Sequence, residues 1–197
     1  MEIQDVRFDK SALKPATWPK AWFPHLAVAG RSNVGKSSLL NWLCRRRIAR
    51  VAKAPGKTRT LNFFLVNRGF YLVDLPGYGF AKVNQELRRQ WNVELGRYLA
   101  EEPRLAGVMT LIDIRHGPTK LDLELQKVLL EAGRERLVVL TKADKVGRSQ
   151  RSKMSREIQF QLGTPTPPVV VSVASGEGRK ELLDRMEQVL DLWKERN

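Results

Sequence analysis

The chain has 197 residues, 42% of them hydrophobic, and 35 Lys and Arg against 21 Asp and Glu give it a net charge of +14. That is enough apolar material for one packed domain with a short extension, and too little charge per residue for a disordered chain. A single cysteine, Cys44, and two distant histidines, His25 and His116, exclude a disulfide scaffold and a Cys/His zinc site.

Acidic Glu2 and Asp5 stand where a secretory signal would be basic, and no apolar run approaches the roughly 18 residues of a membrane span. A cytoplasmic protein without stable membrane association is expected. Residues 10–25 mix Pro15, Pro19 and Pro24 with Trp18, Trp22 and Phe23, which breaks helices yet offers aromatic surface. Residues 1–25 therefore read as a lead-in segment lying on a single domain that occupies 26–197. From there short β-rich apolar runs alternate with stretches of helical period. Strands are predicted at 26–29, 61–66, 70–73, 108–112, 137–140 and 169–173, and helices at 36–48, 84–101, 119–132, 149–162 and 178–196. This alternation predicts an α/β fold, a mostly parallel six-stranded sheet with helices on both faces. Gly69, between the runs 61–66 and 70–73, predicts a hairpin and so one antiparallel edge strand. In the last helix Leu182, Leu183, Met186, Val189, Leu190 and Trp193 recur at spacings of three and four, the stripe of a core-facing helix.

The charge is unevenly placed. From Lys10 to Val73 there are 13 Lys and Arg and no Asp or Glu, while the remainder holds 22 basic and 21 acidic residues. Arg45, Arg46, Arg47, Arg50, Lys53, Lys57 and Arg59 crowd into 45–59. A phosphate-rich partner explains an acid-free third of the chain better than a merely solvated basic face does.

Gly30, Arg31, Ser32, Asn33, Val34, Gly35, Lys36 and Ser37 form GxxxxGKS between an apolar strand and a helix, the pattern and context of a phosphate-binding loop. Its glycines let backbone N–H groups cradle phosphate, Lys36 can reach the β- and γ-phosphates, and the Ser37 hydroxyl can ligate Mg²⁺. Asp74, Leu75, Pro76 and Gly77 form a DxxG that means little alone. At the end of a strand beside a phosphate loop, however, Asp74 can hold Mg²⁺ through water and the Gly77 N–H can sense a γ-phosphate. Thr141, Lys142, Ala143 and Asp144 follow strand 137–140. The Asp144 carboxylate can accept from N1–H and the 2-amino group of guanine, whereas adenine would leave it unpaired, and the Lys142 stem can lie on the purine. Ser172 and the residues after it can offer a hydroxyl and an N–H to the base from the other side. The loop Pro55–Thr60 can bring a threonine hydroxyl over the metal; Thr58 is the choice, with Thr60 in reserve.

The strings GRSNVGKSSLLN (30–41), PGKTRTLNFF (55–64), DLPGYGFAKV (74–83) and TKAD (141–144), in this order and spacing, resemble those of the EngB-type (YihA/YsxC) bacterial GTP-binding proteins. The resemblance spans about residues 2–194. It implies a Ras-like P-loop GTPase fold, GTP or GDP with Mg²⁺, a role in assembly of the large ribosomal subunit, and an association with normal cell division and septation. Carried over by position, it places the metal on Ser37 and Thr58, and the nucleotide on Gly30–Ser37, Gly56, Lys57, Thr58, Arg59, Thr60, Asp74–Gly77, Thr141–Asp144, Val171, Ser172 and Val173. In that last segment Val173 departs from the SAK-like pattern. Asn33 resembles the position that holds K⁺ in cation-stimulated relatives.

Lys36, Thr58 and Gly77 are the catalytic candidates. Ras-like enzymes often place a water-orienting glutamine directly after DxxG, and this chain has Tyr78 there, so slow intrinsic hydrolysis completed by a partner is expected. The expected partner of a monomeric protein is a large ribosomal subunit precursor or its rRNA, met through 45–59. Two other classes stay open at this point. A small-molecule P-loop kinase would have no use for Asp144, and an RNA-binding or division scaffold with a vestigial site would ignore its nucleotide.

Overall fold

A computed structural model describes residues 1–49, 60–78 and 85–197, with main chain alone for 85–92. Its strands are β1 (Val6–Ala12), β2 (His25–Gly30), β3 (Leu61–Val66), β4 (Phe70–Asp74), β5 (Leu105–Asp113), β6 (Glu135–Thr141) and β7 (Val169–Val170). Its helices are α1 (Lys36–Cys44), α2 (Gln85–Glu101), α3 (Lys120–Glu131), α4 (Arg148–Leu162) and α5 (Arg179–Arg196). Among the described residues the strands form one sheet in the order β1-β3-β4-β2-β5-β6-β7, seven strands where six were expected.

The extra strand is β1. It was hidden inside the supposed lead-in because Arg7, Phe8 and Asp9 are exposed, only Val6 and Ala12 are buried, and a register shift between Phe8 and Lys10 spoils the alternation. Its placement follows from Asn67, whose side-chain oxygen accepts from Gln4 N and Asp5 N while Nδ2 donates to the Glu2 carbonyl. Strand β3 is antiparallel to β4, as the hairpin predicted, but it also pairs antiparallel with β1 and so is not the edge. The tight turn itself uses Asn67 (φ 48°) and Arg68 (φ 50°), not Gly69, for its left-handed residues.

Strands β2, β4, β5, β6 and β7 are parallel, and consecutive side chains point to opposite faces. On one face Leu26 and Val28 meet Leu39, Leu40 and Leu43 of α1 and Leu182, Leu183 and Met186 of α5. On the other, Ala27 and Ala29 meet Tyr98 and Leu99 of α2 and Leu129 of α3. Helix α4 packs Ile158 and Leu162 on Ile112, Val138 and Leu140. The α5 stripe is buried as predicted, except that Trp193 is half-exposed and donates its indole N–H to the Pro103 carbonyl.

Helix α1 stops at Cys44, four residues before the expected Ile48. Arg45 turns left-handed (φ 49°), and the Asn41 side chain bonds Ile48 N, Ala49 N and Ala49 O, folding the chain back over the helix end. Cys44 is buried there, and burial pushes its thiol up to about 11. The described helices include none long and apolar enough to cross a membrane.

Candidate functional site

Parallel strands bring their C-terminal ends to one edge of a sheet, and βα loops there are where ligands of open α/β sheets bind. Register fixes who meets whom. Val28 pairs with Asp74, Asp113 with Thr141, and Leu140 with Val170, so the ends of β2, β4, β5, β6 and β7 line one edge. Gly30–Ser37, Asp74–Gly77, Thr141–Asp144 and Val171–Val173 are therefore brought together, although they are scattered over most of the chain.

Gly35 caps α1 at φ 105°, a left-handed backbone with open space where a Cβ would stand. No side chain but hydrogen fits that turn without strain. The N–H groups of the first helical turn then face the loop unbonded within the helix. Among the described residues Ser32 Oγ is buried without a hydrogen-bond partner, and it faces Gly77, where a Cβ would lie 3.3 Å from it. An orphaned hydroxyl beside an open glycine turn fits a polar, phosphate-like occupant.

Lys36 Nζ forms a nearly buried ion pair with Asp74, and Asn62 Nδ2 approaches the second Asp74 oxygen at 3.5 Å. Lys36 supplies the cation a phosphate needs. Asp74 and the Ser37 hydroxyl supply hard oxygens of the kind Mg²⁺ takes. The two charges neutralise each other here, and a phosphate arriving with a divalent cation would offer each a partner of opposite sign.

The TKAD loop is fastened to the phosphate loop. Thr141 Oγ1 donates to the Val34 carbonyl at 2.8 Å, and Lys142 Nζ donates to the Asn33 carbonyl at 2.8 Å and pairs with Asp113 at 2.9 Å. Lys142 (φ 61°) and Asn33 (φ 64°) are both left-handed, a strain of order 1 kcal/mol each. Arg115 donates to both Asp113 oxygens at 2.9 and 2.7 Å. Burial disfavours the Asp113 charge, but hydrogen bonds from Arg115 and Lys142 outweigh it and hold the carboxyl well below its usual range. Asp113 and Arg115 escaped the sequence reading. Their signal was available in Asp113, an acid closing an apolar strand at the same edge as Asp74.

Ser172 is placed differently from expectation. Its hydroxyl donates to Asp144 Oδ1 at 2.8 Å, its N–H donates to the Glu177 carbonyl at 3.1 Å, and the residue is fully buried. It orients Asp144 and has no donor left for a base. The Ser172 hydrogen bond comes first among the causes that lower the Asp144 pKa, with Lys145 adding to it. Val171 accepts Ala143 N, and Val173 packs partly buried on the core. Gly56, Lys57, Thr58 and Arg59 lie outside the described residues, as do Arg50 and Lys53; Thr60, just before β3, is partly buried.

This geometry has counterparts in known proteins. A family model for 50S ribosome-binding GTPases matches residues 25–142. A probable GTP-binding protein EngB from Heliobacterium modesticaldum is 42% identical over 190 residues, covering 95% of this chain and 93% of the relative. One from Pelotomaculum thermopropionicum is 46% identical over 188 residues, covering 93% and 94%. The chain belongs to the EngB family of GTPases. The EngB fold is found again in a crystal structure of a probable GTP-binding protein engB, with TM-score 0.70 at 22% identity over 85% of this chain and 98% of that one. Era bound to MgGDPNP and a stretch of 16S ribosomal RNA shares it at TM-score 0.68 and 24% identity, over 85% and 57%.

Proposed function

We propose that this EngB-family protein is a guanine-nucleotide switch that acts in assembly of the large ribosomal subunit in the cytoplasm, and through that assembly supports normal cell division and septation. The observation that carries the reading is the joining of three elements at one sheet edge: the open Gly35 turn, the Lys36–Asp74 pair, and Asp144 held by Ser172. A phosphate site without a base reader would serve a kinase equally well. Asp144, oriented and ionised, favours guanine.

In this reading Gly30–Ser37 hold the phosphates, Asp144 reads the base and the Lys142 stem covers it. Ser37 and Thr58 would hold Mg²⁺, and Asp74 would hold it through water; when bound, the ion would offset charge on the phosphates. Lys36 stabilises negative charge developing on the leaving β-phosphate, and the Gly77 N–H senses the γ-phosphate. Nothing at position 78 orients water, so unaided hydrolysis is slow and the ribosomal partner completes the site. K⁺ beside Asn33 belongs to the same reading, tested by comparing hydrolysis in K⁺ and in Na⁺.

The RNA partner is supported by the exposed Arg45, Arg46 and Arg47 at the end of α1 and by the family description of 50S ribosome binding. The test is co-sedimentation with large-subunit particles in GDP, a non-hydrolysable GTP analogue, ATP or no nucleotide. Binding should be strongest with the GTP analogue and indifferent to ATP. Equal binding in all four conditions would replace the switch by a constitutive scaffold.

A further inference from the structure

Tyr78, the residue directly after the DxxG turn, is fastened at both ends. Its main chain bridges Arg31 of the phosphate loop, and its carbonyl accepts from Ser32 N at 3.4 Å. Its hydroxyl donates to Asp122 Oδ1 on α3, 44 positions away. Asp122 is 1% exposed. Its other oxygen accepts from Thr119 N and Thr119 Oγ1, each at 2.7 Å, closing the cap of α3. One turn further, Gln126 donates to Thr110 Oγ1 of β5 at 2.9 Å and Leu129 is buried, so this face of α3 is tied to the sheet. Burial, with the Asp122 charge beside it, pushes the Tyr78 hydroxyl far above its ordinary range, so it remains a donor.

Directly before this doubly fastened residue sits Gly77, packed so closely that a Cβ there would lie 3.3 Å from Ser32 Oγ and 3.4 Å from the Gly30 carbonyl. Side chains that point into a site bind ligands; the Tyr78 side chain points away from the phosphate loop, into α3. We propose that Asp122 is a positioning residue for the DxxG turn: by holding Tyr78 it fixes the Gly77 N–H against the phosphate loop before any nucleotide binds. The inference rests on the reading of Gly77 as the γ-phosphate sensor. A turn already ordered has no conformational entropy left to lose when a triphosphate arrives, whereas an untethered one loses it on binding. GDP lacks the group that Gly77 senses, so its affinity is independent of the tether.

The experiment is equilibrium binding of fluorescent GDP and a non-hydrolysable fluorescent GTP analogue to wild type, Tyr78→Phe, Asp122→Asn and the double variant, each beside a thermal melt. Tyr78→Phe keeps the ring and removes only the donor, so it should fold as wild type does. It should bind the GTP analogue about tenfold more weakly, the worth of one charge-assisted hydrogen bond, with GDP affinity changed less than twofold. Adding Asp122→Asn to it should weaken the analogue little further, because both variants break the same hydrogen bond. A folded Tyr78→Phe protein with wild-type affinity for both nucleotides would overturn the proposal. So would equal weakening of GDP and analogue, which marks a merely structural tie. A wild-type protein that bound neither guanine nucleotide would instead defeat the nucleotide reading itself, and this inference with it.

Discussion

Asp144 has one oxygen held by Ser172 and the other near Lys145, 3.4 Å away, so its carboxylate is aimed and charged before a base arrives. Asp144→Asn would turn an acceptor into a donor facing the base. GTP affinity should fall by roughly 100-fold, and xanthosine triphosphate, with a carbonyl at position 2, should gain. Competition titrations of the two nucleotides decide it, and an unchanged GTP preference would move base recognition elsewhere. Ser172→Ala, which frees the carboxylate to rotate and also takes the acceptor from Ser175 N, should weaken GTP about tenfold in the same assay. A second residue speaks to stability. His25 is fully buried among Phe63, Tyr71 and Tyr98, with Nδ1 3.1 Å from the Tyr98 hydroxyl. Burial lowers its pKa from 6.5 to about 3, Glu102 opposing and Arg104 adding to the fall. Between those values the unfolded chain binds a proton that the folded chain refuses, so stability drops as pH falls from about 6.5 towards 3, by at most about 1.4 kcal/mol per pH unit from this group. The fall in melting temperature between pH 7 and pH 5 should be smaller in His25→Gln than in wild type. Equal falls would show that another group drives the acid sensitivity.

Helix α1 links the phosphate loop to the core, since Lys36 and Ser37 open it and Leu39, Leu40 and Leu43 bury its inner face completely. The two ends of that helix should separate under mutation. Leu43→Ala should cost about 2–4 kcal/mol in denaturant unfolding while leaving guanine-nucleotide affinity near wild type. Lys36→Ala should do the reverse, abolishing tight GTP binding in a chain that still melts cooperatively; retained affinity would refute the phosphate-loop role. The periodic elements were legible in the sequence because burial on both faces makes β2, β4, β5 and β6 continuous apolar runs. Strand β1 was not, because an exposed edge carries no alternation. The early end of α1 was not either, since Arg45 adopts a conformation usually left to glycine, and Asn41 stabilises that turn through hydrogen bonds to residues seven and eight positions on. In the site, GxxxxGKS, DxxG and TKAD could be read from spacing. Asp113 left a signal, an acid closing the apolar strand β5, but its bonds to Arg115 and Lys142 and the Tyr78–Asp122 bond could not be read, because the fold alone brings those partners together.

At the scale of the whole molecule, the GxxxxGKS turn and the basic cluster stand at different ends of one helix. Nine residues of α1 rise about 14 Å, so the exposed Arg45, Arg46 and Arg47 stand roughly that far from the phosphate loop. Arg46 lies 4.0 Å from Asp5, which partly offsets its charge. Ribosomal particles should bind less well as salt rises, and Arg46→Ala with Arg47→Ala should flatten the log-log slope by up to about 0.9 for each phosphate that an arginine no longer neutralises, without touching GTP affinity. Unchanged affinity and slope in the GTP state would mean that this end of α1 is only a solvated surface. The buried Cys44 sits beside these arginines, and its thiol, at about 11, is almost wholly protonated at neutral pH. Because it is the sole cysteine of the chain, a maleimide dye reaches native protein only through an opening of the helix end. The rate of that labelling is thus a built-in clock for local unfolding next to the basic face, and any cysteine introduced on the surface would react first and carry a single fluorophore.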